Sequence, residues 1–376
     1  MSEEHLVEPD LEFVQQVMKM GGGSLQKCYQ CATCSVVCNT SPDDFPFPRK
    51  EIIWTQWGLK ERLVKDPDVW LCHQCNDCSV QCPRDAKPAG VLAALRNYSF
   101  LHYAFPKFLG KALSEAKYLP LLFAVPVLFL WFALFLGGNL NLSEGPIVFA
   151  DFIPHAYIDA SFVTVILLAL GTMFVGAQRF WKGLNENNEY SGNLIDLKKN
   201  ALPTLVEILK HSKFQDCETN QLRYYAHLAT FYGFVGLFLT TALVFLCIVL
   251  LGIEPPLSQY NPVKILGNLS ALAFFGGLTI IIYQRLTERE QVGNSTYHDW
   301  FFIGILYATA ITGILSEVTR MADLAALAYP LYAIHLIVVF VLLSSLPYSK
   351  FAHVVYRSLA MVYAMHSGRE GGGIQR

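Results

Sequence analysis

Residues 28–38 read CYQCATCSVVC and residues 72–82 read CHQCNDCSVQC, with Pro83 directly after. Each is Cys-x-x-Cys-x-x-Cys-x-x-x-Cys. This is the thiolate run that holds two 4Fe–4S cubanes, the fourth cysteine of each run serving the other cluster. Three thiolates on a tight loop grip three irons of one cube, and the fourth iron takes its ligand from elsewhere. The expected sets are Cys28, Cys31, Cys34 and Cys82 for cluster one, and Cys72, Cys75, Cys78 and Cys38 for cluster two. Cys-x-x-Cys pairs also bind zinc, but a zinc site closes on four ligands and does not call for a duplicated run of three plus one.

Around these runs the 376 residues change character: the first hundred are polar and cysteine-rich, and from about Tyr118 apolar stretches dominate. The net charge of −2 is segregated along the chain and points to no nucleic-acid partner. The start MSEEHLVEPDLEF is acidic and lacks the apolar core of a signal peptide. The iron–sulfur half is therefore expected in the cytoplasm, where thiols stay reduced. Cys217 and Cys247 fall outside both runs and read as ordinary structural residues.

A helix crossing a bilayer needs about 20 mostly apolar residues. Six stretches qualify: 118–138, 160–181, 227–252, 263–284, 299–318 and 329–347. Positive charge orients them. The 182–226 connection carries Lys182, Lys198, Lys199, Lys210, Lys213 and Arg223. The 285–298 connection carries Arg285 and Arg289, and the tail Arg357, Arg369 and Arg376. Connections 139–159 and 253–262 have no Lys or Arg, and 319–328 has only Arg320. Both termini and the clusters are thus expected on the cytoplasmic side of the inner membrane.

The soluble part reads as helical. Pro9 starts a short amphipathic segment that the glycines at 21–23 end, and SPDDFPFP is a loop. RKEIIWTQWGLKERLV and 88–101 have helical periodicity. The expected fold is all-α: a helical ferredoxin-like domain with two 4Fe–4S clusters (1–101), an amphipathic linker on the membrane surface (102–117), and a six-helix transmembrane bundle (118–376).

Haem b needs axial imidazoles projecting into an apolar slot. His335 lies inside the last span and His353 near its inner end. They are 18 residues apart, about five helical turns and about 27 Å, so one helix could serve a haem in each leaflet. Pro347 between them can kink that helix. His227, at the inner end of the third span, is the expected partner of His353, with His298 a rival at the same depth. For the outer site His335 is the histidine on a span, and His155, in FADFIPHAYID, is its candidate second ligand or a quinone contact. Histidines at span ends are often interfacial, and that reading suits His298, His155 and His211 taken singly; an ionisable side chain inside a span, like His335, is costly and usually functional. Glu317, near the outer end of the fifth span, is a candidate proton acceptor for quinone, or a carboxylate facing water beside Arg320.

The cysteine runs resemble the small iron–sulfur subunit of heterodisulfide reductase, and the membrane part is similar to the gamma-type cytochrome b subunit of respiratory nitrate reductase. That family sets two haem-ligating histidines five turns apart on its last core helix, as His335 and His353 stand here. It also places a histidine ten residues after the position matched by His227, where this chain has Leu237. The outer haem thus lacks its expected partner, leaving His155 or a five-coordinate iron. The fusion order resembles the C subunits of quinone-interacting membrane-bound oxidoreductases. That resemblance implies electron transfer between menaquinone and a cytoplasmic flavin/iron–sulfur partner like the A subunit of heterodisulfide reductase, serving adenylylsulfate reductase in sulfate respiration. The alternatives are the equivalent subunit of a heterodisulfide reductase or sulfite-reduction complex, or a haem-free membrane anchor for an iron–sulfur relay. No G-x-G-x-x-G follows a strand, so flavin and nicotinamide are expected on partners, and no complete catalytic activity is expected from this chain alone.

Overall fold

The computed structural model describes residues 8–137, 146–187, 194–211, 221–253, 255–288, 293 and 295–369. Cys217, Lys213, Arg289 and Arg376 lie outside them. Among the described residues there is no strand. Six helices are long and apolar enough to cross a membrane: Ala116–Gly137, His155–Glu186, Gln221–Leu251, Pro262–Thr287, Tyr297–Met321 and Ala325–Tyr348, here spans one to six. They overlap all six expected stretches, and most extend by several residues because hydropathy alone does not see the polar first and last turns.

The amino-terminal part is built from short helices. Leu11–Val17 starts where the Asp10 side chain accepts from Phe13 N at 2.8 Å, filling one of the donors a helix start leaves open. Arg49–Gln56 and Lys60–Val64 follow, then Pro88–Tyr103, which opens with proline where its missing N–H costs nothing. The linker contains the helix Lys107–Ser114. A helix not expected from the sequence, Leu194–Lys210, lies between spans two and three and packs on the last helix, Thr204 Oγ1 donating to Met365 Sδ at 3.4 Å.

Two features bear on the expected layout. The first is the packing around residue 101. Trp70 and Phe100 of the amino-terminal part share one buried core with Phe180 of span two and with Tyr356, Ala360 and Tyr363 of the last helix. The Trp70 ring lies 5.4 Å from Phe100, 5.8 Å from Phe180 and 5.1 Å from Tyr356. Burying each phenylalanine contributes about 1.5–3 kcal/mol. The part before residue 101, span two and the last helix therefore share one core.

The second is the path from His335 to His353. The helix Ala325–Ser345 gives way to two 3₁₀ turns, Leu346–Tyr348 and Lys350–Ala352, before a new helix, His353–His366. Pro347 cannot donate to the preceding turn, and Ser349 is extended (ψ 178°). The two histidines stand on different helices, so counting five turns between them does not put them on one face.

Spans three and four approach closely through glycine. A Cβ on Gly233 would lie 2.6 Å from Phe274 N, and one on Gly277 2.6 Å from Thr230 Oγ1.

Candidate functional site

The two cysteine runs fold as conformational copies. Gln30 and Ala32 in the first, and Gln74 and Asn76 in the second, all have positive φ (61°, 69°, 57° and 76°). Each costs about 1–2 kcal/mol in a non-glycine residue. The turn aims backbone N–H groups inward: Gln30 N donates to Cys28 Sγ at 3.4 Å and Gln74 N to Cys72 Sγ at 3.3 Å. A short helix then carries the third cysteine, Thr33–Val36 with Cys34 and Asp77–Val80 with Cys78.

The sulfurs gather in the exchanged pattern. Cys34 is acted on by Cys28, Cys82 and Cys31, and Cys78 by Cys72, Cys75 and Cys38, with Cys34 beyond. None of these cysteines is in a disulfide. Among the described residues no three cysteine sulfurs lie within 4.8 Å of one another. Zinc–sulfur bonds of about 2.3 Å would require sulfurs closer than that, about 3.8 Å apart. The wider spacing suits a four-iron cube. Burial, with the neighbouring sulfurs, pushes the Cys34 thiol up to about 11 and Cys78 further. Such thiols ionise only opposite strong positive charge, which cluster iron supplies.

Beside the second run lies a cavity of about 380 Å³. Cys72, His73 and Gln74 form one wall; His227, on span three, and His353, at the start of the last helix, both line it. His353 Nδ1 donates to the Lys350 carbonyl at 2.6 Å, which orients the ring and leaves Nε2 for a ligand. Burial pushes the His353 imidazole down to about 4, with Arg357 and Arg96 acting the same way, so it is neutral, as iron ligation requires. Phe231, Phe234, Phe274, Leu278 and Leu306 supply apolar walls. Arg96, Arg223, Arg285, Lys350 and Arg357 also line the cavity, against Glu207 and Asp299. Apolar walls, the imidazoles of His227 and His353 and an excess of cations are the chemistry a haem calls for, its two propionates carrying the opposite charge.

Three of those cations also hold the cluster-two loop. Arg96 Nε donates to Val69 O at 2.8 Å and its Nη2 to Cys72 O. Arg357 Nη1 donates to Cys72 O at 3.0 Å and to Trp70 O at 3.2 Å, and its Nη2 lies 3.0 Å from a His73 ring nitrogen. Arg223 Nη1 donates to Gln74 O at 2.6 Å. Sequence reading missed all three. The signal was a helical stripe: Arg357 follows His353 by one turn, and Arg223 precedes His227 by one turn. His211 was also set aside, yet it lines the cavity with its ring 5.2 Å from that of His227.

The other predicted residues are elsewhere. His298 is buried but does not line the cavity; its neighbour Asp299 does. His335 lies part-buried between Thr312, whose hydroxyl is 3.0 Å from Nδ1, and Gly313, where an added Cβ would lie 3.0 Å from the ring. The structure does not bring His335 and His155 into a common cavity. Leu237 packs into the apolar core with Phe274 and Val338. Glu317 is already committed: Lys264 Nζ is 2.7 Å from Oε2, while Gln259 Nε2 and Arg320 Nη2 donate to Oε1 at 2.8 and 3.1 Å. A carboxylate held by two cations across spans four and five is a tie between helices.

Residues 24–86 match the family of 4Fe-4S dicluster domains. Over 372 residues the chain is 27% identical to citrate utilization protein B of Escherichia coli, covering 95% of this chain and 92% of that protein. It is 37% identical over 89 residues to the C subunit of the H(2):CoB-CoM heterodisulfide,ferredoxin reductase of Methanothermobacter marburgensis, 23% of this chain and 48% of that one. It is 25% identical over 210 residues to the E subunit of the dihydromethanophenazine:CoB--CoM heterodisulfide reductase of Methanosarcina thermophila, 51% of this chain and 75% of that one. The chain thus spans about half the length of the C subunit it matches, and nearly all of citrate utilization protein B. No solved structure matches. The chain is therefore similar to iron–sulfur and membrane subunits of oxidoreductase complexes: an all-α, multi-pass protein with a 4Fe–4S dicluster domain.

Proposed function

We propose that this chain is a membrane electron-transfer subunit between a quinone pool and a cytoplasmic flavin/iron–sulfur partner. Cys28, Cys31, Cys34 and Cys82 hold one 4Fe–4S cluster, Cys72, Cys75, Cys78 and Cys38 the second, and His227 with His353 a haem b. When bound, these groups supply reversible one-electron storage. The observation that carries the reading is the cavity wall shared by Cys72, His227 and His353. The protein's part is to hold the cluster-two loop against that cavity through Arg96, Arg223 and Arg357, and to keep water from it with the phenylalanines of spans three and four. One haem is proposed, because Leu237 stands where a second haem would need a partner for His335. Clusters and both termini lie on the cytoplasmic side, as the lysines and arginines of the connections favour.

The partner is proposed to resemble the A subunit of heterodisulfide reductase, with adenylylsulfate reductase or a sulfite-reducing enzyme as the onward acceptor. A second reading has support from the full-length similarity to citrate utilization protein B: the partner of this chain belongs to citrate utilization. Subunits that co-purify with the chain separate the two.

A reduced-minus-oxidised spectrum of the purified chain, with iron and haem counted, tests the proposal. The expected result is a haem b alpha band with one haem to about eight non-haem irons. Eight irons with no alpha band would leave the chain as an iron–sulfur anchor.

A further inference from the structure

Away from the iron–sulfur module the space is smaller. Leu237 is packed and Glu317 is ion-paired there, and a cavity walled by Pro126, Ile153, Ser161 and Phe340 is about 10 Å³. That is roughly the space of one water. Of these two, the inner cavity, at about 380 Å³, is the one with room for a ring-sized molecule.

One wall of the inner cavity has a different character from the rest. The end of the helix Leu194–Lys210 brings Glu207 and Ile208 into it, and His211 follows directly. On the same helix Leu202, Leu205, Val206 and Leu209 remain exposed. His211 adopts a left-handed backbone (φ 52°) that ends the helix and turns the ring edge-on to His227 at 5.2 Å and to Phe231 at 5.0 Å. Its Nδ1 is 3.2 Å from the Leu209 carbonyl, so Nδ1 carries the proton and Nε2 is an acceptor. The Tyr232 hydroxyl donates to the same carbonyl at 2.5 Å, pinning the helix end to span three. Polar acceptors thus face the cavity where an apolar surface at the membrane begins.

We propose that this wall seats the headgroup of an isoprenoid hydroquinone that enters from the leaflet nearest the iron–sulfur module. His211 Nε2 accepts, which matches a hydroxyl donor of the reduced ring. The apolar tail runs along Leu205 and Leu209. This deepens the proposed function by locating its quinone site, on the side opposite to the one the sequence suggested. It needs His227 only as a neighbour, so it stands or falls separately from the haem.

The test uses the full chain in detergent and the fluorescent hydroquinone analogue 2-heptyl-4-hydroxyquinoline N-oxide, followed by quenching. Wild type is expected to bind it, with competition from a short-chain hydroquinone. His211→Phe is expected to weaken binding about tenfold, the loss of one buried hydrogen bond. His211→Gln, which keeps an acceptor, should restore most of it, and His155→Phe should change nothing. Cluster and haem absorbance report folding in each variant. Unchanged affinity in His211→Phe, loss in His155→Phe instead, or competition by phospholipid alone overturns the site. Loss of a haem b band in both His211 variants also overturns it, because His211 would then be an iron ligand. A chain with no haem band in wild type but His211-dependent quenching upholds this site and removes the haem.

Discussion

Arg357 and Cys72 meet through a 3.0 Å hydrogen bond across 285 residues of sequence. The guanidinium comes from the last helix and the carbonyl from the second cysteine run, so this contact closes the chain on itself at the point where the proposed cluster meets the proposed haem. Arg96, from the other side, donates to the same carbonyl.

Replacing Arg357 with Ala is expected to lower the midpoint potential of cluster two and leave that of cluster one unmoved. A nearby cation favours the reduced, more negative cluster. Arg357→Lys should recover part of the shift, since lysine keeps the charge but not the forked donors. Redox titration followed by electron paramagnetic resonance reads both clusters; equal shifts in the two would contradict the local role.

The exchanged cysteines make a paired forecast. Cys82→Ala should remove the cluster held by Cys28, Cys31 and Cys34, and Cys38→Ala the one held by Cys72, Cys75 and Cys78. In each case bound iron falls from about eight to about four per chain. Resonance spectra of the survivors should differ between the two variants. If Cys82→Ala instead removes the cluster of its own run, the exchange is wrong.

The two histidines of the carboxy-terminal third should behave differently. His353→Leu is expected to abolish the haem b band. His335→Leu should retain it and cost about 1 kcal/mol of stability, the loss of the bond to Thr312. Haem content and thermal unfolding of the two variants, measured side by side, check this.

A pH effect follows from the buried acids of the iron–sulfur module. Lys50 Nζ lies 3.2 Å from Glu51, 3.0 Å from Asp66 and 2.5 Å from Asp68, and Arg369 reaches Asp68 at 3.1 Å. Burial raises Glu51 from 4.5 to about 8, with Lys50 opposing and Asp66 and Asp68 adding. Between those values the folded chain holds a proton that the unfolded chain has released, so stability falls as pH rises. The slope is at most about 1.4 kcal/mol per pH unit. Glu51→Gln should melt higher than wild type at pH 8 and converge with it near pH 5; parallel melting curves at both pH values would refute this.

The cysteine runs and the six spans were legible because their signals are local: fixed thiolate spacing, and about 20 apolar residues in a row. Pairing His227 with His353 rested on depth; in the fold both line one cavity. What stayed hidden depends on distant parts of the chain. Nothing near residue 357 announces that its guanidinium will meet the carbonyl of Cys72. His335 looked functional because an imidazole inside a span is costly; the hydroxyl of Thr312, a whole helix away in sequence, engages its Nδ1. Glu317 looked available because Lys264 lies 53 positions earlier. The break after Ser345 was signalled by Pro347, but a proline alone does not tell a kink from two 3₁₀ turns.

The aromatic core around Trp70 sets a limit on how this protein can be divided. Its rings come from both ends of the chain and from span two. Residues 1–101 expressed alone would leave Trp70 and Phe100 without Phe180 and Tyr356, and the fragment would be prone to aggregate. Neither piece keeps a complete interior when the two part.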